Sequence, residues 1–227
     1  MKIRMLVAAA LGLAAGSTMA SAATVTILAP GVLSPAGYEV ETFDEIAQTP
    51  YGSTTSTGTF SNFGDTFSGG GVVMNNAGGG SLGLYATPFG DSTNYMAVLG
   101  GQSETITFGS LASMFGLYWG SVDSYNSLTF YNGSTEVYSI SGADTGPLIA
   151  SGGQGDYASN GYVLIKNIPA FNSVVIASGS NSFEFDNVAV AGGVPEASTW
   201  AMMGLGFAGL GLAGFGAKRK REARALA

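Results

Sequence analysis

Apolar and polar residues alternate over many short runs between residues 24 and 190, and no stretch there shows the 3.6-residue period of an amphipathic helix. Each run is bounded by glycine, proline, asparagine or serine. Short alternating runs separated by turn residues are typical of an antiparallel β-sandwich or jelly roll. We therefore predict an all-β fold for residues 23–190, with strands at 24–29, 38–43, 104–108, 115–119, 162–165, 173–176 and 182–185.

A hairpin is the clearest local element. The dipeptide Asn132-Gly133 suits the positive φ angles of a two-residue turn, and alternating runs flank it on both sides. If these two residues form the loop, Leu128 and Phe130 lie on the face directed to the core, and Tyr131 lies on the other face.

The chain begins with a segment that has the order of a secretory signal peptide. Two basic residues within the first five precede an apolar run at 6–16, and small residues follow up to Ala20-x-Ala22. The run is short for a hydrocarbon core about 30 Å thick, which disfavours an uncleaved anchor. We predict a signal peptide at residues 1–22.

Charge is distributed unevenly along the chain. The whole sequence carries a formal net charge of −7, but all basic residues except Lys166 lie in the two terminal segments. The body, residues 23–195, contains thirteen acidic residues, from Glu39 to Asp186. Such a surface repels nucleic acid and anionic membranes. We therefore expect no nucleic-acid partner, and divalent cations or neutral polymers fit this charge better.

The sequence contains neither cysteine nor histidine. A disulfide scaffold, a thiol nucleophile and a histidine general base are thereby excluded. The G-x-S-x-G pattern at residues 79–83 is consequently interpreted as a glycine-rich loop, because a nucleophile elbow needs a histidine. A hydrolase that uses a carboxylate pair stays as an alternative, although no spacing selects a pair.

Residues 200–217 carry no charge and would form about 27 Å of helix at 1.5 Å per residue. We predict a transmembrane helix there, with Trp200 at one interface and a basic cytoplasmic tip at 218–227. The positive-inside rule assigns the cytoplasmic side to a cluster of four basic residues: Lys218, Arg219, Lys220 and Arg221.

A linker at residues 191–199 contains Val194-Pro195-Glu196, and with the tail that follows it resembles the PEP-CTERM sorting signal of Gram-negative bacteria. Ala197 stands where the motif has its second proline. The resemblance implies an inner-membrane intermediate, cleavage by an exosortase near Pro195-Glu196, and delivery to the cell surface or the exopolysaccharide matrix. A single-pass membrane protein that keeps its anchor is the alternative.

The segment "FEFDNVAV" at 183–190 looks like the last strand of jelly-roll modules related to carbohydrate-binding modules, in which such an aspartate often binds calcium. The resemblance implies Asp186 as a calcium ligand, with others from the acidic segment 39–45, chiefly Glu41 and Asp44. A hydrogen-bonded aspartate at a strand end is the alternative. In a regular strand, Asp186 would share a face with Val188.

Aromatic residues cluster in the stretch 115–138. Tyr118, Tyr125 and Tyr131 are candidates for a surface on which sugar rings stack, whereas Trp119 shares a predicted strand face with other apolar residues and suits the core.

Taken together, the terminal segments, the charge and the missing residue types favour an exported, non-enzymatic envelope or matrix protein. A carbohydrate-binding module that attaches to an exopolysaccharide is the alternative.

Overall fold

The computed structural model describes residues 22–48, 56–59, 65–75, 84–192 and 205–207. The chain divides into two compact units, and the larger one, Ala22–Val194, contains all strands of the described residues. They are β1 (Thr24–Ile27), β2 (Ser56–Thr59), β3 (Thr66–Gly69), β4 (Gly71–Met74), β5 (Tyr95–Val98), β6 (Gln102–Ala112), β7 (Met114–Gly120), β8 (Asn126–Asn132), β9 (Thr135–Ser141), β10 (Gly161–Lys166), β11 (Phe171–Ser178) and β12 (Phe183–Ala191).

The strands form two sheets of six, and all neighbouring strands within them are antiparallel. The first sheet has the order β1-β10-β7-β12-β5-β4, and the second has the order β2-β3-β6-β11-β8-β9. Apolar side chains from both sheets fill the space between them, including Phe115, Leu117, Trp119, Phe183, Phe185, Ile106, Phe130, Val174 and Ile176. The predicted all-β antiparallel sandwich is confirmed, and so is the core position of Trp119.

The two sheets differ in what covers their outer faces. Strands β6 and β8 of the second sheet alternate buried and more exposed residues, as expected when one face meets solvent. In the first sheet, all seven residues of β7 and all four of β5 are buried. Segments such as 28–40 pack on that outer face, where they contact Tyr118 and Tyr162. Burial on both faces removes the alternation, so β4 and β5, which are only four residues long, were not predicted, whereas the longer β7 was.

The predicted strand at 38–43 is wrong. Within it, only Glu41 makes a ladder contact, an isolated antiparallel bridge to Val188 of β12. The Glu41 N–H donates to the Val188 carbonyl at 2.7 Å, and the Val188 N–H donates back at 2.8 Å. The segment contributes Tyr38 and Val40 to the cover over the first sheet. Its alternating pattern therefore arises from a covering segment rather than from a strand.

A β-bulge between Asp186 and Ala189 changes the phase of β12. Asn187 has φ of 54° at this point, in the left-handed region. Phe185 faces the core before the bulge and Val188 faces it afterwards. The prediction that Asp186 shares a face with Val188 is therefore wrong, because it assumed regular alternation.

The hairpin is formed by β8 and β9, as predicted, but its turn lies one residue later. Asn132 pairs with Thr135, so that Gly133, with φ of 60°, and Ser134 form the loop. A register shift between Phe130 and Tyr131 accommodates the difference. Leu128 and Phe130 are fully buried, as predicted for the core face.

Gly69, Gly70 and Gly71 form a corner between the two sheets. Gly69 ends β3 in the second sheet and Gly71 begins β4 in the first. The N–H of Gly70 donates to the Ser103 carbonyl at 2.8 Å. The glycines allow the chain to cross close to β6, where a Cβ on Gly69 would lie 2.4 Å from the Ser103 carbonyl oxygen.

Most predictions for the termini fall outside the described residues. These include the signal peptide, of which only Ala22 is described, the motif Val194-Pro195-Glu196, Trp200 and the cluster 218–221. Of the predicted span 200–217, residues 205–207 are described, and they are helical. No helix in the described ranges is both long and apolar enough to cross a bilayer.

Candidate functional site

Two places in the sandwich gather polar side chains. One is a cluster of acids on the outer face of the first sheet, in which Asp91 and Asp186 are buried and Asp44 is exposed, and the other is a cleft among loops, around Tyr125. We name them the acid cluster, defined by Asp44, Asp91 and Asp186, and the loop cleft. The cleft has a volume of about 190 Å³.

Asp186 is fully buried at the centre of the acid cluster. Its Oδ1 accepts from the Phe43 N–H at 3.3 Å, and its Oδ2 accepts from Nδ2 of Asn187 at 3.2 Å. Burial raises the pKa of Asp186 well above its usual range, and the negative charges of Asp91 and Asp44 raise it further. A positive charge close to Asp186 would oppose this shift and favour the ionised carboxylate.

Asp91 shares a hydrogen-bonding partner with Asp186. Its Oδ1 accepts from the Thr93 N–H at 2.9 Å and from the Thr93 hydroxyl at 2.7 Å. The same hydroxyl lies 3.3 Å from Oδ2 of Asp186, although it has only one proton to donate. The other oxygen of Asp91, Oδ2, is buried and has no hydrogen-bonding partner among the described residues.

The predicted calcium ligands do not form a complete site. Asp44 lies close enough to raise the pKa of Asp186, and its Oδ1 accepts from the Asn94 N–H at 3.1 Å. Glu41 is buried at the backbone bridge to Val188. Within the described ranges, no three acidic side chains are grouped so that they could hold a metal ion. Asp91 was not predicted from the sequence, because nothing local distinguishes "GDST" at residues 90–93 from an ordinary loop.

The three candidate aromatic residues do not share a surface. Tyr118 is fully buried, and its hydroxyl donates to the Phe89 carbonyl at 2.5 Å, so the prediction that it faces a glycan is wrong. The loop that carries Phe89 covers it. Tyr131 lies on β8, opposite Glu136 in the second sheet, and is half-buried. Tyr125 is 39% exposed and lines the loop cleft.

Three connections supply polar side chains to the loop cleft, and a fourth, between β4 and β5, supplies Leu84 and Tyr85. The segment after β7 supplies Asp123 and Tyr125, the long β9–β10 connection supplies Ser151 and Gln154, and the turn before β12 supplies Asn181. An isolated antiparallel bridge joins Asp123 to Ser151. The backbone thereby fixes the spacing between two of the three connections.

Hydrogen bonds hold Tyr125 both at its side-chain hydroxyl and at its backbone carbonyl. Its hydroxyl is hydrogen-bonded to Oδ2 of Asp123 at 2.6 Å and to the carbonyl of Asn181 at 2.8 Å, and its own carbonyl accepts from the Gly179 N–H at 3.2 Å. Burial raises the pKa of Tyr125, and Asp123 raises it further. The ring is consequently fixed at the edge of the cleft, with its hydroxyl protonated at neutral pH.

Glu184 lies at the bottom of the cleft and is buried. Its carboxylate accepts from the Ser121 hydroxyl at 2.5 Å, from the Ala86 N–H at 2.9 Å and from the Ser182 hydroxyl. Burial raises its pKa, and the hydrogen bonds oppose that shift. These three donors connect separate segments, so Glu184 stabilises the walls of the cleft.

No family model matches the chain, and no curated protein matches it in sequence. Among the solved structures that are similar in fold, two are each 13% identical to this chain. The K2 cleaved adhesin domain of Lys-gingipain has a TM-score of 0.41 and covers 67% of this chain and 98% of that domain. A carbohydrate-binding module from a Cellvibrio mixtus lichenase, in complex with cellotriose, has a TM-score of 0.27 and covers 74% of this chain and 100% of that one.

Proposed function

We propose that this chain is an exported, non-enzymatic protein of the envelope or extracellular matrix, sorted through its C-terminal signal. An exosortase would cleave near Pro195-Glu196 after a transient stay in the inner membrane. The proposal rests on the position at which the last strand of the sandwich ends. The last strand, β12, ends at Ala191, whose carbonyl accepts from the Ser113 N–H at 3.0 Å. A cut near Pro195 would thus leave every strand of the described sandwich in the released body.

The arrangement of Glu184 supports a non-enzymatic role. A catalytic carboxylate must exchange a proton or attack a substrate, and the oxygens of Glu184 already accept from three donors within the protein. Asp186 is fully buried under the segment that contains Phe43. Both acids are held as structural groups.

Intact-mass measurement on protein recovered from the source cells tests the sorting proposal. We expect a product in the medium or at the cell surface that starts after Ala22 and ends near Pro195. A double variant, Pro195→Ala with Glu196→Ala, should accumulate in the membrane at the mass of the uncut tail. A wild-type protein that keeps Lys218 and the rest of the tail in the membrane would overturn the proposal and indicate a permanent anchor.

We propose as a second function that the acid cluster takes a structural calcium ion. The unpartnered Oδ2 of Asp91 favours this, because a buried carboxylate oxygen without a donor is costly and a cation would satisfy it. Asp91, Asp186 and the Thr93 hydroxyl would hold the ion, with Asp44 nearby. Calcium prefers such oxygen ligands and needs six to eight of them, so carbonyls or water must complete the shell.

Thermal unfolding in EDTA and in calcium tests this second function. At a calcium concentration about 100-fold above the dissociation constant, we expect the melting temperature to rise by roughly 5–10 °C. The rise should vanish in Asp186→Ala and in Asp91→Asn and persist in Glu136→Gln, which changes an exposed acid of the second sheet. No rise in the wild-type protein would exclude calcium.

A further inference from the structure

Two partly exposed side chains with apolar surface line the otherwise polar loop cleft. Leu84 and Tyr125 line it and are 38% and 39% exposed. Ile149 is 59% exposed and lies two residues before Ser151, another lining residue. An exposed aromatic ring beside polar side chains suits a ligand that has both an apolar face and hydrogen-bonding groups.

The polar groups of the cleft are positioned before any ligand arrives. The bridge between Asp123 and Ser151 is extended by the Gly152 N–H, which donates to the Val122 carbonyl at 2.9 Å. A Cβ on Gly152 would lie 2.7 Å from Oδ1 of Asp123, so glycine leaves room for this carboxylate. The ring of Tyr125 is fixed at both ends. Groups that are already ordered lose little conformational entropy on binding.

Charge and hydrogen bonding select the class of ligand. The body has thirteen acids and one lysine, and Asp123 lies in the cleft, so anions are repelled. A metal ion is disfavoured, because Glu184 already accepts from three donors and Oδ2 of Asp123 accepts from Tyr125. Ser151 and Gln154 offer both donors and acceptors, which suits neutral hydroxyl groups.

We propose that the loop cleft binds a sugar unit of a neutral polysaccharide. The apolar face of the sugar would lie against the ring of Tyr125, and Asp123, Ser151 and Gln154 would exchange hydrogen bonds with its hydroxyl groups. This inference rests on the proposed function, because export brings the body into contact with extracellular polysaccharide.

Affinity electrophoresis of the exported protein, in the form in which it is recovered from the cells, tests the inference. The gels contain a soluble neutral glucan, a neutral galactomannan or anionic alginate. We expect retardation in at least one neutral gel and none in alginate. Binding should weaken about tenfold in Tyr125→Ala and by a smaller factor in Gln154→Ala, whose exposed side chain has little influence on folding. Tyr131→Ala, a tyrosine of the second sheet, should bind like the wild type.

Absence of retardation in both neutral gels would overturn the inference, and so would an equal loss in Tyr131→Ala or binding to alginate alone. Tyr125→Phe separates the roles of the ring and of the hydroxyl, and we expect it to keep most of the binding if its melting temperature is unchanged. The result does not depend on the sorting experiment. A protein that keeps its tail can still bind the gel, and a cleaved protein can fail to bind.

Discussion

Glu104 and Gly71 are hydrogen-bonded across the corner where the chain passes from one sheet to the other. Oε2 of Glu104 accepts from the Gly71 N–H at 2.9 Å, and the side chain is fully buried on the same face of β6 as Ile106 and Phe108. Its other oxygen, Oε1, has no hydrogen-bonding partner among the described residues. Burial raises the pKa of Glu104 to about 7, and the bond from Gly71 opposes the shift.

The raised pKa of Glu104 predicts that stability falls as the pH rises. Between its ordinary value of 4.5 and about 7, the folded protein holds a proton that the unfolded chain has lost. The contribution of this group to the free energy of unfolding should decrease across that window by up to about 1.4 kcal/mol per pH unit, and level off above it. Glu104→Gln removes the titration, so its stability relative to wild type should rise from pH 4.5 to 7. Urea unfolding at several pH values measures the difference, and a pH-independent difference would contradict the prediction.

The glycine corner should tolerate no side chain at Gly69. Its Cβ would lie 2.4 Å from a backbone oxygen of Ser103, which can move only with β6. We expect Gly69→Ala to lower the free energy of unfolding by about 1–3 kcal/mol. Gly155→Ala is the matched control, because nothing lies within 4 Å of the added carbon there. Chemical denaturation gives the free energy of unfolding of both variants. Similar values for the two would contradict the prediction, because they would show that β6 moves at little cost to admit the added carbon.

The core depends on a stacked pair between neighbouring strands. The rings of Trp119 in β7 and Phe183 in β12 lie 4.2 Å apart, with planes 7° from parallel. Phe183→Ala should cost about 3–5 kcal/mol, because it leaves a cavity against a fully buried indole. Leu111→Ala changes an exposed side chain and should stay within about 0.5 kcal/mol. Comparable losses in the two variants, measured by thermal unfolding, would contradict the assigned core.

The bulge in β12 should depend on the residue at 187. Asn187 has φ of 54°, and an L-residue other than asparagine, aspartate or glycine is disfavoured there. We expect Asn187→Ala to destabilise by about 1–2 kcal/mol and Asn187→Gly to destabilise less, since glycine adopts this φ without strain. Equilibrium unfolding ranks the three proteins. A glycine variant less stable than the alanine variant would contradict the prediction, because both variants lose the bond from Nδ2 to Asp186 and only the backbone angle favours glycine.

The local pattern of apolar and polar residues predicted those features that depend only on residues close in sequence. The hairpin at 126–141, the core side chains Leu128 and Phe130 and the position of Trp119 were predictable, because alternation records which side of a strand is buried. Composition excluded thiol and histidine chemistry in the same direct way. The error of one residue in the turn shows the limit of such reasoning, since pairing with β9 decides between adjacent registers.

The sequence by itself thus determined the fold class and the acidic character of the body, and it led to the prediction of a sorting signal in the tail. Tertiary structure decided that the first sheet is covered on both faces, that Asp91 meets Asp186, and that Asp123 and Glu184 belong to one cleft. These partners lie some sixty or more residues apart in the chain. Only the packing of the long connections over the sheets brings them together, and that packing is set by contacts with no local periodicity.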